Sequence, residues 1–305
     1  MISLVIPIYN EEQVIDELLR RSLAALEKTG QAFEVIMVDD GSTDGSLQKL
    51  LQVHNEDKRV KVLELSRNFG HQAAFTAGLR QSLGDYTVMM DGDLQDMPEL
   101  IGPMYEKMMS GQYDIVNGYR TSRAETGFRA FLFMVFHKLF AFILDNREAE
   151  NMGNFSMLNR PALEALKQLK EKTRYLPGLR SYVGFRQGSL DYDREARAEG
   201  KAKMRLKHLM GLAADAIFSF SRLPIKVCFY LGLVGIVVFG LAGIVLLFEE
   251  PTTPLTHDYK SILVGLYFLG SVQLAFIGII GEYVFKGYKE TQNRPMYFVR
   301  KAYVD

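Results

Sequence analysis

The chain has 305 residues, in which 36 Lys and Arg balance 36 Asp and Glu, so its formal net charge is zero. That balance argues against a general nucleic-acid-binding protein. The single cysteine, Cys228, lies in an apolar run; it excludes an internal disulfide and fits a reducing compartment. The first residues lack a basic segment before an apolar core, so we expect no cleaved signal peptide.

Residues 1–120 alternate apolar runs, typical of buried strands, with segments of helical periodicity. This alternation predicts an α/β fold with a mostly parallel sheet covered by helices. The predicted strands are Ser3–Tyr9, Phe33–Asp40, Val60–Ser66, Tyr86–Asp93 and Tyr113–Arg120. The predicted helices are Glu11–Lys28, Ser42–His54, Gln72–Ser82 and Pro98–Ser110.

Polar residues follow every predicted strand. Because the carboxyl ends of parallel strands lie along one edge of a sheet, where open α/β sheets bind ligands, these residues predict one binding site. Neither G-x-G-x-x-G after the first strand nor a Walker-type phosphate loop is present, which disfavours dinucleotide and P-loop sites. The strand endings are Tyr9-Asn10-Glu11, Asp39-Asp40-Gly41-Ser42, Ser66-Arg67-Asn68, Asp91-Gly92-Asp93 and Gly118-Tyr119-Arg120.

Two acids, Asp91 and Asp93, stand one residue apart after the fourth predicted strand, with Gln95 close behind. Alternate residues of an extended segment point to the same side, so the two carboxylates can share a ligand. Hard oxygen ligands suit Mg²⁺ or Mn²⁺, which also accept phosphate oxygens. Asp96, just before Met97-Pro98, has an alternative role as the cap of the next helix.

Asp39 and Asp40 end the second predicted strand, in the stretch DDGSTDGS. Carboxylates at this place can accept hydrogen bonds from the edge of a nucleotide base and from a ribose hydroxyl. Ser42 or Thr43 has a second interpretation, as the N-cap of the following helix. We favour the nucleotide interpretation for the two acids.

The stretches PIYNEE, VDDGSTDGS, LSRNFGHQAA and DGDLQDMPE together resemble glycosyltransferase family 2, whose nucleotide-sugar domain is of the GT-A type. More narrowly, the chain is similar to the polyisoprenyl-phosphate glycosyltransferases, the group that includes dolichol-phosphate mannose synthase. The similarity extends to the ending GEYVFKGYKETQNRPMY, which resembles bacterial two-span members. It implies a nucleotide-sugar donor and a polyisoprenyl-phosphate acceptor, with UDP-glucose and undecaprenyl phosphate favoured and GDP-mannose second.

The resemblance also implies roles for individual residues. The nucleotide sugar would meet Pro7, Tyr9, Glu11, Asp39, Asp40 and Asp91. A Mg²⁺ or Mn²⁺ ion on the donor diphosphate would be held by Asp91, Asp93 and Gln95. Catalysis would rest on Asp93 and on the phosphate-binding cations Arg120, Arg194, Arg197 and Lys203.

Two positions depart from the family's usual pattern. The last motif usually reads G-x-S-K, whereas this chain has Gly200-Lys201-Ala202-Lys203, so it lacks a serine hydroxyl that could contact phosphate. Asn154 stands where many relatives have aspartate, and we assign it no acid–base role. A lipid phosphate is already an anion at neutral pH, so transfer needs no strong base. We therefore expect His71 to be structural or substrate-contacting, and direct attack to invert the anomeric centre.

The lipid acceptor needs a route from the bilayer. Residues 128–143 place their apolar side chains on one helical face, which predicts an interfacial helix; packing on the sheet is the alternative. Such a helix would deliver the lipid phosphate towards Arg120, Arg123 and Arg129. Residues 205–224 could form a second interfacial helix, with basic residues towards anionic headgroups.

Two apolar segments, Ile225–Phe248 and Ile262–Phe285, are each long enough to cross a bilayer, at about 36 Å as helices. Buried core helices are the alternative. Lys and Arg flank the outer ends of both segments, which predicts a multi-pass protein of the inner (plasma) membrane with its catalytic domain and both termini in the cytoplasm. Glycines in the first segment would permit close helix packing and hence a homo-oligomer.

These features predict four regions. They are a donor and metal half at 1–125, an acceptor half at 126–224, two membrane helices within 225–285, and a cytoplasmic tail at 286–305. A processive polysaccharide synthase is disfavoured because the chain has no tryptophan for the Q-x-x-R-W segment of such enzymes. A non-catalytic, membrane-anchored nucleotide-sugar sensor, or a scaffold for a flippase, remains the alternative to an enzyme.

Overall fold

The computed structural model describes residues 1–120, 152–172, 174–192, 225, 228–235, 237, 241 and 256–304. The described residues fall into two compact units. The first is an α/β unit that contains residues 1–120, most of 152–192 and the C-terminal residues 294–304. The second is helical and contains the described residues between 225 and 293.

The described part of the α/β unit is built on a single mixed sheet, with strand order β7-β5-β6-β4-β1-β2-β3-β8. The strands are β1 (Ile2–Ile8), β2 (Phe33–Asp39), β3 (Val60–Leu65), β4 (Tyr86–Met89), β5 (Ile115–Arg120), β6 (Met152–Asn159), β7 (Gln187–Tyr192) and β8 (Val299–Tyr303). The helices are α1 (Ile15–Lys28), α2 (Ser46–Glu56), α3 (His71–Gln81), α4 (Ile101–Met109), α5 (Arg160–Gln168) and α6 (Leu176–Tyr182). A short 3₁₀ turn, Pro98–Leu100, precedes α4.

The predicted parallel sheet is confirmed. β1 pairs in parallel with both β2 and β4, and β2 pairs in parallel with β3. Alternation along β1 sends Leu4 and Ile6 into one core and Val5 into the other. Helices α1, α2 and α4 pack on the first core, and α3, α5 and α6 on the second. Because both faces are covered, the central strands are continuous apolar runs.

Three further strands extend the sheet beyond the five predicted ones. β6 runs antiparallel between β4 and β5, and β7 lies parallel to β5. β8 pairs antiparallel with β3 and so covers the opposite edge. Residues 286–305 were predicted to form a tail, but Val299–Tyr303 within them is a strand of this sheet. The predicted boundary at residue 125 divides the chain between β5 and β6, which are neighbours in the sheet.

The helical unit contains α7 (Thr256–Thr291). Its segment Gly265–Thr291 is the one stretch, among the residues that the structure describes, that is long and apolar enough to cross a membrane. This segment overlaps the predicted span Ile262–Phe285. The other predicted span, Ile225–Phe248, is described only in part, and its described residues are helical. The two predicted interfacial helices, at 128–143 and 205–224, lie outside the described residues.

Candidate active site

The loops after β1 and β2 are joined by side chain to backbone hydrogen bonds at the carboxyl edge of the sheet. Asn10 has a φ of 55°, in the left-handed region, and its backbone N–H donates to Ser42 Oγ at 3.1 Å. Its Oδ1 accepts the amide of Thr43 at 2.8 Å. The amide of Glu11 donates to Ser46 Oγ at 3.0 Å. These bonds hold together the two strand ends of the predicted nucleotide pocket.

Asp39 and Asp40 lie at the end of β2 with only 1% and 2% of their surface exposed. Burial raises the pKa of both carboxyls, although hydrogen-bond donors around them oppose that effect. The amide of Ser42 lies 3.3 Å from each oxygen of Asp39. The amides of Phe69 and Gly70 donate to Asp40 at 2.8 and 2.9 Å. Asp40 therefore anchors the loop between β3 and α3 beside the end of β2.

The turn after β2 and the β3–α3 loop approach each other so closely that position 41 must be a glycine. Gly41 has a φ of 72°, and an added Cβ would lie 2.6 Å from the carbonyl carbon of Arg67 and from the nitrogen of Asn68. A side chain there would push the β3–α3 loop away from the acids. The backbone of Arg67 and Asn68 is thus held against the turn that carries Asp39 and Asp40.

The segment Asp91–Asp96, which we term the carboxylate loop, follows β4 and packs closely against the end of β1. A Cβ added at Gly92 would lie 2.7 Å from Ile8 Cδ1 and 2.8 Å from the carbonyl oxygen of Pro7. The structure therefore brings the predicted metal ligands next to the predicted nucleotide residue Pro7. These residues come from parts of the sequence that are 84 positions apart, between Pro7 and Asp91.

Within the carboxylate loop, a tight turn separates the two predicted ligands Asp93 and Gln95. Asp93 Oδ1 accepts the amide of Gln95 at 3.2 Å. Leu94, between them, has a φ of 57°, in the left-handed region that branched and bulky residues avoid. Its side chain is buried in the first core, with 4% exposed. Burial of Leu94 offsets the conformational cost of the turn, which is about 1–3 kcal/mol.

Among the residues that the structure describes, His71 and Asn154 contact Asp91 from two other elements. His71 Nε2, at the start of α3, lies 3.1 Å from Asp91 Oδ1, and Asn154 Nδ2, on β6, lies 3.4 Å from the same oxygen. Burial lowers the pKa of His71, but the hydrogen bond to Asp91 and the negative charges nearby outweigh it and raise the pKa above its ordinary value. Gln72, the residue after His71, lies with its Nε2 3.4 Å from Asn154 Oδ1.

A fully buried arginine lies behind Asn154. Arg180, on α6, donates to the carbonyl oxygens of Gly153 and Asn154 at 2.6 and 3.0 Å and to Ser156 Oγ at 2.8 Å. Burial lowers the pKa of Arg180 to about 10. Its charge meets carbonyl dipoles along β6, which hold the strand segment that presents Asn154 to Asp91.

The structure brings several predicted site residues to one edge of the sheet and leaves others outside its description. Tyr9, which is 40% exposed, and Glu11 follow β1 beside the turn of Asp39. Arg120 is the last residue of β5. The residues placed at this edge are Pro7, Tyr9, Glu11, Asp39, Asp40, Asp91, Asp93 and Gln95. The predicted cations Arg123, Arg129, Arg194, Arg197 and Lys203 lie outside the described residues.

The carboxylate loop fits a divalent cation that is shared with a phosphate ligand. Among the described residues, no group of three or more His, Cys, Asp or Glu side chains could hold a metal by itself. Asp91, Asp93 and Gln95 supply two carboxylates and one amide oxygen. Mg²⁺ and Mn²⁺ are commonly bound in proteins by one or two carboxylates together with substrate phosphates and water. The donor set therefore suits a metal that arrives with a diphosphate.

Comparison with known families agrees with this arrangement. A family model described as "Glycosyl transferase family 2" matches residues 3–167, which include β1 to β6 and both acid-bearing loops. The chain belongs to glycosyltransferase family 2. It is a glycosyltransferase, and the resemblance stated from its motifs is confirmed.

Relatives match along nearly the whole chain. An uncharacterized glycosyltransferase of Synechocystis sp. is 38% identical over 98% of this chain and 94% of its own length. The SfII prophage-derived bactoprenol glucosyl transferase of Shigella flexneri is 34% identical over 99% of this chain and 98% of its own. A prophage bactoprenol glucosyl transferase homolog of Escherichia coli is 32% identical over 99% of each chain.

Among solved structures, glucosyl-3-phosphoglycerate synthase from Mycobacterium tuberculosis, in complex with Mn²⁺, UDP-glucose and phosphoglyceric acid, aligns with a TM-score of 0.51. The alignment covers 72% of this chain and 77% of that one at 21% sequence identity. At this identity the likeness concerns the fold, and it confirms the GT-A-type α/β architecture.

Two capping interpretations from the sequence are wrong. Gly45, not Ser42 or Thr43, occupies the N-cap position of α2, and the side chain that accepts the amide of the helix's first residue, Ser46, is that of Asp44. Met97 holds the N-cap position of the 3₁₀ turn, without a side-chain cap, so Asp96 is not a capping residue. Ser42 Oγ instead accepts from the backbone of Asn10, and Asp96 accepts from the hydroxyl of Tyr192 on β7, partners that a pattern of neighbours in sequence cannot reveal.

Some residues of the site were missed by sequence reasoning or given no role in it. Asn154 was assigned no acid–base role, and its contact with Asp91, to which the pairing of β6 with β4 brings it, was not predicted. Gln72 and Arg180 gave no signal in the sequence because their partners lie on other elements. His71 was expected to be structural or substrate-contacting, and its contact with Asp91 places it at the carboxylate loop.

Proposed function

We propose that this glycosyltransferase transfers glucose from UDP-glucose to a polyprenyl phosphate at the cytoplasmic face of the membrane. The observation that carries the proposal is that two acid-bearing loops, after β2 and β4, lie on either side of β1 at one edge of the sheet, in a chain that matches bactoprenol glucosyl transferases over nearly its whole length. Bactoprenol is a polyprenol, so its phosphate is the acceptor that this similarity suggests. GDP-mannose is the second candidate donor.

The two loops divide the donor between them. Asp39 and Asp40 would meet the nucleoside, since their buried carboxylates can accept from a base N–H and a ribose hydroxyl. Asp91, Asp93 and Gln95 would hold Mg²⁺ or Mn²⁺ on the diphosphate. The ion, when bound, would stabilise the charge that develops on the leaving diphosphate. Tyr9 and Glu11 stand beside the first loop and would line the pocket.

Chemistry at this site requires positioning more than proton transfer. The acceptor phosphate is already a nucleophilic anion, so the site needs no activated base. The described residues around Asp91 are accordingly hydrogen-bond donors, His71 and Asn154, that fix the carboxylate. Arg120, at the end of β5, together with Arg194, Arg197 and Lys203, would neutralise the two phosphates as they approach. Direct attack by the acceptor would invert the anomeric carbon.

Transfer in detergent tests this function. Purified full-length protein is incubated with radiolabelled UDP-glucose and undecaprenyl phosphate, with and without EDTA. We expect labelled lipid that disappears with EDTA and returns with Mn²⁺ or Mg²⁺, and an inverted anomeric configuration by NMR. Product from GDP-mannose alone would replace the proposed donor. Binding of nucleotide sugars without transfer from any of them would contradict the proposal and favour the sensor.

We further propose a two-span topology, which strand β8 supports. β7 and β8 belong to one sheet and therefore lie on one side of any membrane. β8 directly follows α7, so if α7 crosses the bilayer, the chain must cross once more between β7 and α7. The apolar segment Ile225–Phe248 is the span that this parity needs, and its described residues are helical.

Cysteine labelling distinguishes two spans from one. In a Cys228→Ser background, single cysteines are introduced as Thr253→Cys, between the proposed spans, and Lys301→Cys, on β8. A membrane-impermeant maleimide should label Thr253→Cys in right-side-out vesicles and Lys301→Cys only in inside-out vesicles. Labelling of both from the same side would contradict the two-span topology.

A further inference from the structure

The carboxylate loop is held by a buried carboxylate that no proposed chemical step uses. Asp96 has no exposed surface, and it does not cap the turn that follows it. Its Oδ1 accepts the hydroxyl of Tyr192 at 2.6 Å, and its Oδ2 lies 3.4 Å from the amide of Asp91. A buried carboxylate is costly unless it is hydrogen-bonded, so both contacts bear on where the loop rests. One side chain thus ties the last residue of the loop to its first and to Tyr192.

Tyr192 is the last residue of β7 and is nearly buried, with 5% exposed. Its ring meets the edge of Phe155 on β6 at a centroid distance of 5.7 Å. A Cβ added at Gly118 would lie 2.9 Å from Tyr192 Cε1, so β5 makes room for this ring. The ring is therefore fixed by packing against β5 and against Phe155 of β6, the next strand beyond it, and the direction of its hydroxyl is fixed with it.

The place of Tyr192 in the sheet connects two parts of the proposed site. In the parallel pairing of β5 with β7, Tyr192 stands opposite Arg120. Arg194, another of the proposed phosphate-binding cations, follows Tyr192 by two positions in the sequence. The hydroxyl of Tyr192 reaches from these strand ends to Asp96 at the far end of the carboxylate loop. The bond therefore joins the end of β7, opposite Arg120 on β5, to the loop that carries acids.

The bond between Tyr192 and Asp96 helps to hold the carboxylate loop in a strained conformation. The left-handed turn at Leu94 persists only while its surroundings hold it. Leu94 anchors the middle of the loop in the core, and Asp96 anchors its end. With the second anchor removed, the amide of Asp91 would lose an acceptor and the turn could relax towards an ordinary backbone conformation.

We propose that Asp96 and Tyr192 are positioning residues that lock the carboxylate loop to the ends of β5 and β7. This inference rests on the proposed function, in which the loop holds a metal and the strand ends carry phosphate-binding cations. The lock keeps Asp91 and Asp93 in register with those cations, so that one diphosphate can meet both.

Tyr192→Phe tests the lock because it removes one hydroxyl and keeps the ring. Two readouts are taken on the full-length protein in detergent. The first is hydrogen–deuterium exchange of metal-free protein, in which peptides covering the carboxylate loop should exchange faster than in the wild type. The second is Mn²⁺ binding in the presence of UDP, followed by the electron paramagnetic resonance signal of free Mn²⁺. We expect affinity to fall about tenfold, in the range for loss of a hydrogen bond to a charged group.

Asp96→Asn is the second variant. An asparagine can accept the Tyr192 hydroxyl or the Asp91 amide but not both with oxygen, so loop exchange should again rise. If the two residues act through one bond, the double variant should be no worse than the poorer single variant. Tyr86→Phe is the matched control, since the hydroxyl of Tyr86 donates to Met109 Sδ at an exposed place. Neither readout should change in Tyr86→Phe.

The outcomes separate this inference from the proposed function. Wild-type protein that binds Mn²⁺ with UDP and transfers glucose, while Tyr192→Phe and Asp96→Asn keep wild-type loop exchange and Mn²⁺ affinity, would overturn the lock alone. A lowered melting temperature with unchanged loop exchange and Mn²⁺ affinity would do the same, because it would show a purely structural role. Wild-type protein that neither binds Mn²⁺ with UDP nor transfers any sugar would overturn the proposed function and the lock with it.

Discussion

Replacing Asp93 with asparagine should lower the rate of glucose transfer at least about a hundredfold while leaving the fold intact. The side chain keeps its size and still accepts the amide of Gln95 at the turn. What the variant loses is a negative charge at the place proposed for the metal. Without it, the ion would be held more weakly, and the leaving diphosphate would be less well stabilised. The measurement is kcat with labelled UDP-glucose at saturating acceptor, repeated over a range of Mn²⁺ concentrations.

Asp85→Asn is the matched control for this variant. Asp85 is exposed and pairs with the N-terminal ammonium at 2.8 Å, just before β4 rather than after it. The same change of chemistry at the opposite end of the strand should leave transfer near the wild-type rate. Equal activity of Asp93→Asn and Asp85→Asn, at every metal concentration, would remove Asp93 from the proposed catalytic site.

The parallel core of the fold could be predicted because its signal is local. β1 to β4 are apolar runs ended by polar residues, and helices of regular periodicity separate them. Strands that are buried on both faces appear in the sequence as continuous apolar runs. Helical connections between such strands are typical of a parallel sheet. The strand ends then fall at one edge, so the grouping of Asp39 with Asp91 followed from topology alone.

The edges of the sheet could not be predicted in the same way. β8 reads VRKAY, a short segment with charges that resembles any exposed turn, and it becomes a strand only because β3 offers an unpaired edge. β6 lies between β4 and β5, so two strands that are consecutive in the chain are not neighbours in the sheet. Both placements depend on pairing partners far away in sequence, and no local pattern encodes them.

The site, like the sheet, has some features that local sequence predicts and others that depend on residues far away in the chain. Residue types and spacing alone led to the proposal that Asp91 and Asp93 bind a metal, since metal chemistry restricts the choice of ligands. The residues that hold the carboxylate loop and its neighbouring strand in place were not restricted in that way. Asn154, Tyr192 and Arg180 act through hydrogen bonds whose geometry arises from the packed sheet. Ser42 and Asp96 were open to a capping interpretation for the same reason.

Removal of β8 should unfold part of the donor pocket as well as the edge of the sheet. The amide of Ser66 donates to the carbonyl oxygen of Phe298 at 2.9 Å, and the ring of Phe298 lies 6.1 Å from that of Phe69. Phe69 in turn donates its amide to Asp40. A chain therefore runs from the C-terminal segment, through the β3–α3 loop, to a predicted nucleotide residue.

Truncation after Met296 would remove that segment, including Tyr297 and Val304, which pack on the second core. Full burial of an apolar side chain contributes about 1.5–3 kcal/mol, and these two are partly buried; with the lost pairing of β8 and β3 added, we expect a loss of about 3 kcal/mol in the free energy of unfolding. The KM for UDP-glucose should rise at least about tenfold, because Asp40 loses the loop that orders it. Urea unfolding of the detergent-solubilised protein and donor titration measure the two effects.

Arg300→Ala tests whether the ion pair between Arg300 and Glu64, rather than strand β8 as a whole, is responsible for these effects. Arg300 lies 3.0 Å from Glu64; Glu64 is nearly buried, but Arg300 is 65% exposed, so solvent screens the pair and we expect it to contribute about 1 kcal/mol. This variant should therefore keep nearly wild-type stability and donor KM while the truncation loses both. If the truncated protein retained both properties, the C-terminal segment would be a dispensable tail. If only stability fell, β8 would support the sheet without ordering the donor pocket.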